Sequence, residues 1–498
     1  MPITLTPEVR DLLSRIASFC ADREVAAWAT GGLVRDLLGA RSGRDIDITI
    51  AGDTVEIGRG LAEEVSAHYV LLDQARGHVR LVLKDESGQI DLTPLRAADI
   101  YLDLVQRDFT INAMAMDLAE LVEGRDVEVL DPMSGRGDLT DGLVRATSED
   151  ALIDDPLRLL RGVRIATELN LRIEDGTTEV IRRNAPLIHE SSAERVRDEL
   201  LLVFSTERAA FGLRLMDELG LFANVLPEME IVRGVEQPKE HSYDVLGHSL
   251  AAVAALDAIT AEDQPQESPG RDLWGFAREG LDWVAVQEYL SEPAGAGSDR
   301  RAILKLGGLL HDVGKPETKS FQPDGRMRFF GHSEAGARIA GELMRRLRFS
   351  SRETAIVQAM IAAHLRPLQM AQSGAPAKRA IYRFFRDTAE AGVETLLLSL
   401  ADHAGTVGPR LSVDQFQRHV ALVDYVLRVR FREEHVVSPP RLMKGDDLAS
   451  SLGLKEGPII GQLMEAVREA QAAGEVTDRE GALAVARREL GRLSADSQ

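Results

Sequence analysis

The chain has 498 residues, 44% hydrophobic and 28% charged, with a formal net charge of −21; that length exceeds one hydrophobic core and implies three or four domains. The acidic balance argues against broad, sequence-independent binding of nucleic acid, which rests on many Lys and Arg contacts to phosphate, though it leaves room for a local basic groove. A lone cysteine, Cys20, excludes an internal disulfide, and the absence of a signal peptide or a membrane-length apolar run points to a cytoplasmic location without a membrane partner.

In chain order, Glu8 to Cys20 reads as a helix with Val9, Leu12, Leu13 and Ile16 on one face. Thr30-Gly31-Gly32-Leu33-Val34-Arg35-Asp36 follows, and its Gly pair lets backbone approach phosphates. Asp45 to Ile50 alternates as a strand: Asp45 and Asp47 share one face and can hold metal ions together, while Ile46, Ile48 and Ile50 face a core. Taken alone, the Asp pair reads first as two exposed acids at a solvent edge. His78 to Leu83 and Gln89 to Leu92 form two more strands around Glu86-Ser87-Gly88, which puts Asp91 on a neighbouring strand. From about 150 to 230 the pattern is helical. Residues 238–408 are also mainly helical and hold most of the histidines. Polar insertions near 261–270 and 291–299 read as mobile surface loops. After Ser438-Pro439-Pro440 a last helical module places Ile459, Ile460, Leu463, Met464 and Val467 on an apolar face.

Three further runs follow the Gly pair and Asp-x-Asp in order: Arg107-Asp108-Phe109-Thr110-Ile111-Asn112-Ala113, Asp154-Asp155-Pro156-Leu157-Arg158-Leu159-Leu160-Arg161, and Glu194-Arg195-Val196-Arg197-Asp198-Glu199. Their order and spacing resemble the class II tRNA nucleotidyltransferase (CCA-adding) and bacterial poly(A) polymerase family, over about the first half of the chain. His248, His311-Asp312 and Asp402 resemble an HD-type metal phosphohydrolase domain, which some members carry. The expected fold is a multidomain α+β chain. It comprises an α/β nucleotidyltransferase head with a mixed sheet (1–145), an all-α neck and body (146–235), an all-α HD domain (236–410) and a helical tail (411–498).

The resemblance implies that Asp45 and Asp47 are catalytic ligands of Mg²⁺ and that Asp91 resembles a third carboxylate, with an exposed strand-end acid an equal reading there. Gly31, Gly32 and Arg35 would meet phosphates, and Asp36 would fix Arg35. Arg107, Asp108 and Asn112 would contact the nucleotide or fix its loop: Arg107 a phosphate, Asp108 a ribose hydroxyl. For Asp108 alone, capping of a helix start is an equal reading. Gln106 stands where the family commonly has a second Arg. Asp155 and Arg158, three apart on an expected helix, would share a face. As one acceptor beside a fork of donors they would accept C and A and reject G and U. Asp154 replaces the family's usual Glu. Arg161 and Arg164 continue that face toward phosphates, while Glu194 to Glu199 stabilises the neck. The segment between Asp91 and Arg107 is shorter than in many full CCA-adding members, which leaves open CC-only or A-only addition.

In the histidine-rich middle, His248, His311, Asp312 and Asp402 would bind a divalent ion such as Mn²⁺, Ni²⁺, Zn²⁺ or Mg²⁺, and His332 and His364 a second one. His241 and His403 would serve structure or solvent. The implied function is addition of C and/or A to the tRNA 3′ end (the acceptor arm) from CTP and ATP with release of pyrophosphate, plus an HD phosphohydrolase activity. Alternatives are a poly(A) polymerase, a partial CC- or A-adding enzyme, or, in another class, an HD phosphohydrolase or RNA-binding regulator with an inactive head.

Overall fold

The computed structural model describes residues 5–39, 45–85, 88–124, 127–266, 270–295, 297–370, 375–455 and 457–495. The side chains of Asp45, Pro409 and Ala495 fall outside that description, so the expected role of the Asp45 carboxylate lies outside the described residues. The chain forms two compact units, 1–191 with 218–224, and 192–217 with 225–498.

The first unit opens with the helix Pro7–Ala21, capped by the Thr6 hydroxyl. A six-stranded sheet follows: β1 (Ala27–Thr30), β2 (Asp45–Ile50), β3 (Ala67–Asp73), β4 (His78–Leu83), β5 (Gln89–Pro94) and β6 (Ala115–Asp117). Their order is β3-β4-β5-β2-β1-β6, and only the β2–β5 pair is parallel. Strict alternation fills one face: Ile46, Ile48, Ile50, Val79, Leu81, Ile90 and Leu92 are buried with Leu13, Ile16 and Leu61 of the covering helices. Asp47 is thereby turned to the other face. Strands β1 and β6 have four and three residues, too short for a period to show in sequence.

Beyond the sheet the chain is helical. The helix Glu149–Asp154 ends at Asp155, which is extended (φ −139°, ψ 90°), and Leu157–Leu169 begins after Pro156. A residue before proline is pushed out of the helical region. The expected single helix carrying both Asp155 and Arg158 is therefore corrected: Asp155 sits in the break, and only Arg158 is helical.

The second unit is helical around Val245–Thr260, whose side chains are buried on almost every side against Gly392–Val407 and Arg300–Leu310. A Cβ on Gly314 would lie 2.3 Å from His332 O and 2.4 Å from Gly336 N, so only glycine lets these two backbones touch. The segment 291–299 is not the free loop expected: Pro293–Gly295 pairs with Ser298–Asp299, and the buried Ser298 hydroxyl binds the Glu353 carboxylate. The last helices, Gly445–Leu452, Pro458–Ala472 and Arg479–Ala495, enclose a core of Leu448, Leu463, Val467, Ala482 and Ala486. Ile459, Ile460 and Met464 pack against it. Among the described residues no helix is long and apolar enough to cross a membrane.

Candidate active site

In the head, the strand β1 ends at Thr30 and the chain turns through Gly31 (φ +60°) into the helix Gly31–Leu38. That turn brings the Gly32 N–H to Asp47 Oδ2 at 2.8 Å. A Cβ on either glycine would stand 3.0 Å from the same oxygen. Parallel register sets Asp47 directly beside Asp91. Asp91 is gripped by Arg80, its cross-strand partner on β4, through two bonds of 2.7 Å. Arg80 carries no motif in the sequence; the antiparallel pairing of β4 with β5 places it opposite Asp91.

Arg35 donates to Asp36 at 2.9 Å and to the Asn112 side chain at 3.0 Å. Asn112 in turn donates to Asp108 at 3.2 Å, and Arg161 reaches Asp108 Oδ2 at 3.4 Å. Asp108 also accepts from the Phe109 N–H at 2.8 Å. Burial raises its pKa, but the charges of Arg161 and Arg158 together with those bonds outweigh burial and hold it below the ordinary value. Both its oxygens already have partners inside the fold, but it does not cap the short helix Thr110–Asn112, whose N-cap is Phe109 without a side-chain bond. Arg107 donates to Thr49 at 2.8 Å and to the buried Asp103 at 3.2 Å, and its Nη1 lies beside the Gly31 turn. Thr49 stands in a ladder of hydroxyls, 3.1 Å from that of Thr30 and 3.2 Å from that of Thr93. Asp103 and Thr49 carry no motif, and no sequence signal marks them.

Arg158 donates to Ala151 O at 2.9 Å and Gln106 O at 3.3 Å. Asp155 faces Arg76, on the β3–β4 turn, at 3.9 Å. Arg164 pairs with Glu168 at 2.8 Å.

The second unit holds a buried histidine cluster. His248 Nε2 is 3.0 Å from His311 Nε2, 3.2 Å from Asp312 Oδ2 and 3.2 Å from Asp402 Oδ1. On the other side of Asp312, His332 Nε2 is 3.3 Å from His364 Nε2 and 3.5 Å from Asp312 Oδ1. Asp312 therefore turns one oxygen to each histidine pair. Three imidazoles give Nδ1–H to a carbonyl: His311 to Gly308 at 2.8 Å, His332 to Phe329 at 2.8 Å and His364 to Ile361 at 2.7 Å. This fixes the tautomer that leaves Nε2 lone pairs converging, the arrangement metal-binding histidines use. His248-His311-Asp312 and Asp312-His332-His364 each place their ligand atoms close enough for one ion. Burial lowers the pKa of His248, but Asp312 and Asp402 outweigh it and push it up to about 9. Burial chiefly, then the charge of His311, lowers His364 to about 4. Lys315 Nζ lies 2.5 Å from Asp312 Oδ2 and 2.6 Å from Gln237 Oε1. His241 is edge-on to His248 at 5.6 Å between ring centres, and His403 pairs with His419 at 3.2 Å.

An Asp-bearing mixed sheet with a Gly-Gly turn defines a nucleotidyltransferase head, and the comparisons agree. The chain matches the poly A polymerase head domain over residues 27–145, the probable RNA- and SrmB-binding site of polymerase A over 170–232, and the HD domain over 281–404. It is 31% identical to a CC-adding tRNA nucleotidyltransferase of Geobacter sulfurreducens over 94% of this chain and 93% of that one. It is 32% identical to an A-adding tRNA nucleotidyltransferase of Deinococcus radiodurans, covering 90% and 92%. A CCA-adding enzyme solved with ATP aligns with TM-score 0.60 at 19% identity over 98% of this chain and 96% of that one, a likeness of fold. The chain belongs to the tRNA nucleotidyltransferase and poly(A) polymerase family, in a form that carries an HD domain.

Proposed function

We propose that the chain adds C and/or A to the 3′ end of tRNA from CTP and ATP. The observation that carries this is the Gly31-Gly32 turn closed on Asp47 with Asp91 in register beside it. Asp45 and Asp47 would hold Mg²⁺, with Asp91 as the third carboxylate. Bound there, Mg²⁺ would lower the pKa of the tRNA 3′-hydroxyl and neutralise the departing charge. The hydroxyl loses its proton to solvent, its oxygen bonds the α-phosphorus, and the bond from that phosphorus to pyrophosphate breaks. Gly31, Gly32, Arg35 and Arg107 orient the triphosphate, while Asn112 and Asp108 hold Arg35 and Arg161 in place. Asp155 and Arg158 read the base, and Arg161 and Arg164 face RNA or nucleotide phosphates. The head (1–145), neck and body (146–235), HD domain (236–410) and tail (411–498) divide the work, with body and tail holding the acceptor arm. The histidine cluster binds divalent ions such as Mn²⁺, Ni²⁺ or Mg²⁺ for phosphohydrolysis. A cytoplasmic location suits this substrate.

A second reading, addition of CC alone or A alone, is favoured by the link between β5 and the helix Ile100–Leu104. It spans residues 95–99 and is tied down: Leu95 N–H to Ile50 O at 2.8 Å and Arg96 N–H to Asp103 at 3.1 Å. Such a link has little slack to reshape a pocket between nucleotides. The similar relatives include CC-adding and A-adding enzymes. The test uses tRNA transcripts ending at the discriminator base, at C and at CC, each with CTP, ATP or both. Growth to CCA supports a complete enzyme. Arrest after CC, or A added only to the CC end, assigns a partial one. Long A tails or no addition overturns both.

A further inference from the structure

The hairpin formed by Lys319–Phe321 and Met327–Phe329 supports the histidine cluster and reaches into solvent. Phe329 O fixes His332 Nδ1 at 2.8 Å, and the Phe329 ring lies 5.5 Å from Lys315 Nζ. Register pairs Lys319 with Phe329 and Phe321 with Met327. Cross-strand partners, and residues two apart, share a face. Phe321 thus lies on the face that carries Phe329 beside Lys315. Yet Phe321 is 65% exposed, and Phe330, two residues before His332, is 70% exposed. All three residues of the first strand are exposed, so that strand builds no core, while Met327–Phe329 is half-buried.

We propose that this hairpin is a base-stacking platform: Phe321 takes the nucleobase of a 3′-terminal nucleotide whose phosphate lies at the Asp312 cluster. The proposal rests on the cluster being a metal phosphohydrolase centre. Three features select this occupant. Aromatic faces stack on any base, which suits RNA ends of varied sequence. Lys319, on the same face as Phe321, complements phosphate charge. Phe321 stands in the run Lys319-Ser320-Phe321-Gln322, polar on either side of the ring, unlike the broad apolar patch of a protein interface. On a 2′,3′-cyclic phosphate, water would add to phosphorus, one ring P–O bond would break, and the freed ribose oxygen would take the proton.

The test uses the full chain with Mn²⁺ and two substrates, adenosine 2′,3′-cyclic phosphate and the base-free glycerol 1,2-cyclic phosphate. Phe321→Ala should raise KM for the nucleotide about tenfold and leave the base-free substrate unchanged. Phe321→Trp should keep the nucleotide KM, and its added fluorescence should be quenched by adenosine 3′-monophosphate but not by glycerol 2-phosphate. An unmoved nucleotide KM in Phe321→Ala, with both substrates still hydrolysed, overturns the platform and spares the metal centre. So does loss of self-association in that variant with the KM unmoved, which would assign the Phe321 ring to a second copy. If the parent chain hydrolyses neither substrate and Asp312→Ala binds metal as the parent does, the metal reading falls. The Phe321→Trp fluorescence then decides the platform: quenching by the nucleotide supports it, and none overturns it.

Discussion

The head and the histidine cluster both centre on aspartates, but they hold them differently. In the head, Asp47 sits on a strand face and takes one backbone N–H from a glycine turn, with Asp91 brought alongside by register and held by Arg80. In the second unit Asp312 is 2% exposed and lies among four histidines, Lys315 and Asp402. A half-open carboxylate pair suits a site that admits and releases a triphosphate with its ions. A buried donor set suits ions that stay, since burying such charge is tolerated only when it is paired.

The sharpest way to break that contrast is a pair of substitutions. Asp47→Ala should lower nucleotide addition roughly a thousandfold, the several kcal/mol that metal stabilisation of the transition state supplies. It should leave phosphohydrolysis and HD-bound metal unchanged. Asp312→Ala should do the reverse, with loss of bound metal by elemental analysis. If either substitution removes both activities while the chain stays folded, the two sites are not independent.

Proton release separates them next. In the metal-free chain the folded-state pKa of His248, about 9, stands above its ordinary 6.5. Its contribution to stability is therefore full below pH 6.5 and lost as pH rises through 9. Asp312 is held well below its ordinary value: burial raises it, but Lys315 and the histidines outweigh burial. Its contribution is present above about pH 4 and lost on acidification. Metal needs a neutral imidazole, so apparent affinity should rise about tenfold per pH unit from 7 to 9 and then level off. Calorimetric titration with Mn²⁺ checks this, and a flat profile would remove His248 from the ligand set.

Asp108 tests whether a motif residue acts by position. Asp108→Ala leaves Asn112 and Arg161 without their shared acceptor, and about 1–3 kcal/mol of stability should be lost. Nucleotide addition should fall with it, through displaced Arg35, more in kcat than in KM. A stable variant with a raised KM alone would restore the ribose contact expected from sequence.

What could be read from sequence followed from period, spacing and resemblance. The alternation of Asp45 to Ile50 and of β4 gave the sheet face, because that pattern is local, whereas the members of the histidine cluster, far apart in sequence, came from the resemblance to HD domains and not from spacing. The Asp155–Arg158 helix was misread because period 3.6 was carried through Pro156, whose ring constrains the residue before it. Asp103, Thr49 and Gln237 were invisible: each acts through a contact made by tertiary folding, with no spacing rule to betray it.

The smallest expected effect belongs to Arg80. Its pair with Asp91 is partly exposed, with side chains 34% and 24% accessible, so Arg80→Ala should cost less than about 1 kcal/mol of stability. The pair nonetheless fixes the Asp91 carboxylate through two bonds, and a freed carboxylate would sample other rotamers and meet Mg²⁺ less often in the productive one. Nucleotide addition should fall about tenfold, with a steeper dependence on Mg²⁺ concentration. Arg80→Lys, which keeps charge but loses the fork, should recover only part of it. The opposite result, faster addition in Arg80→Ala, would mean that the guanidinium competes with the metal for Asp91. The head would then resemble the HD cluster, where Lys315 already stands against Asp312 in the same way.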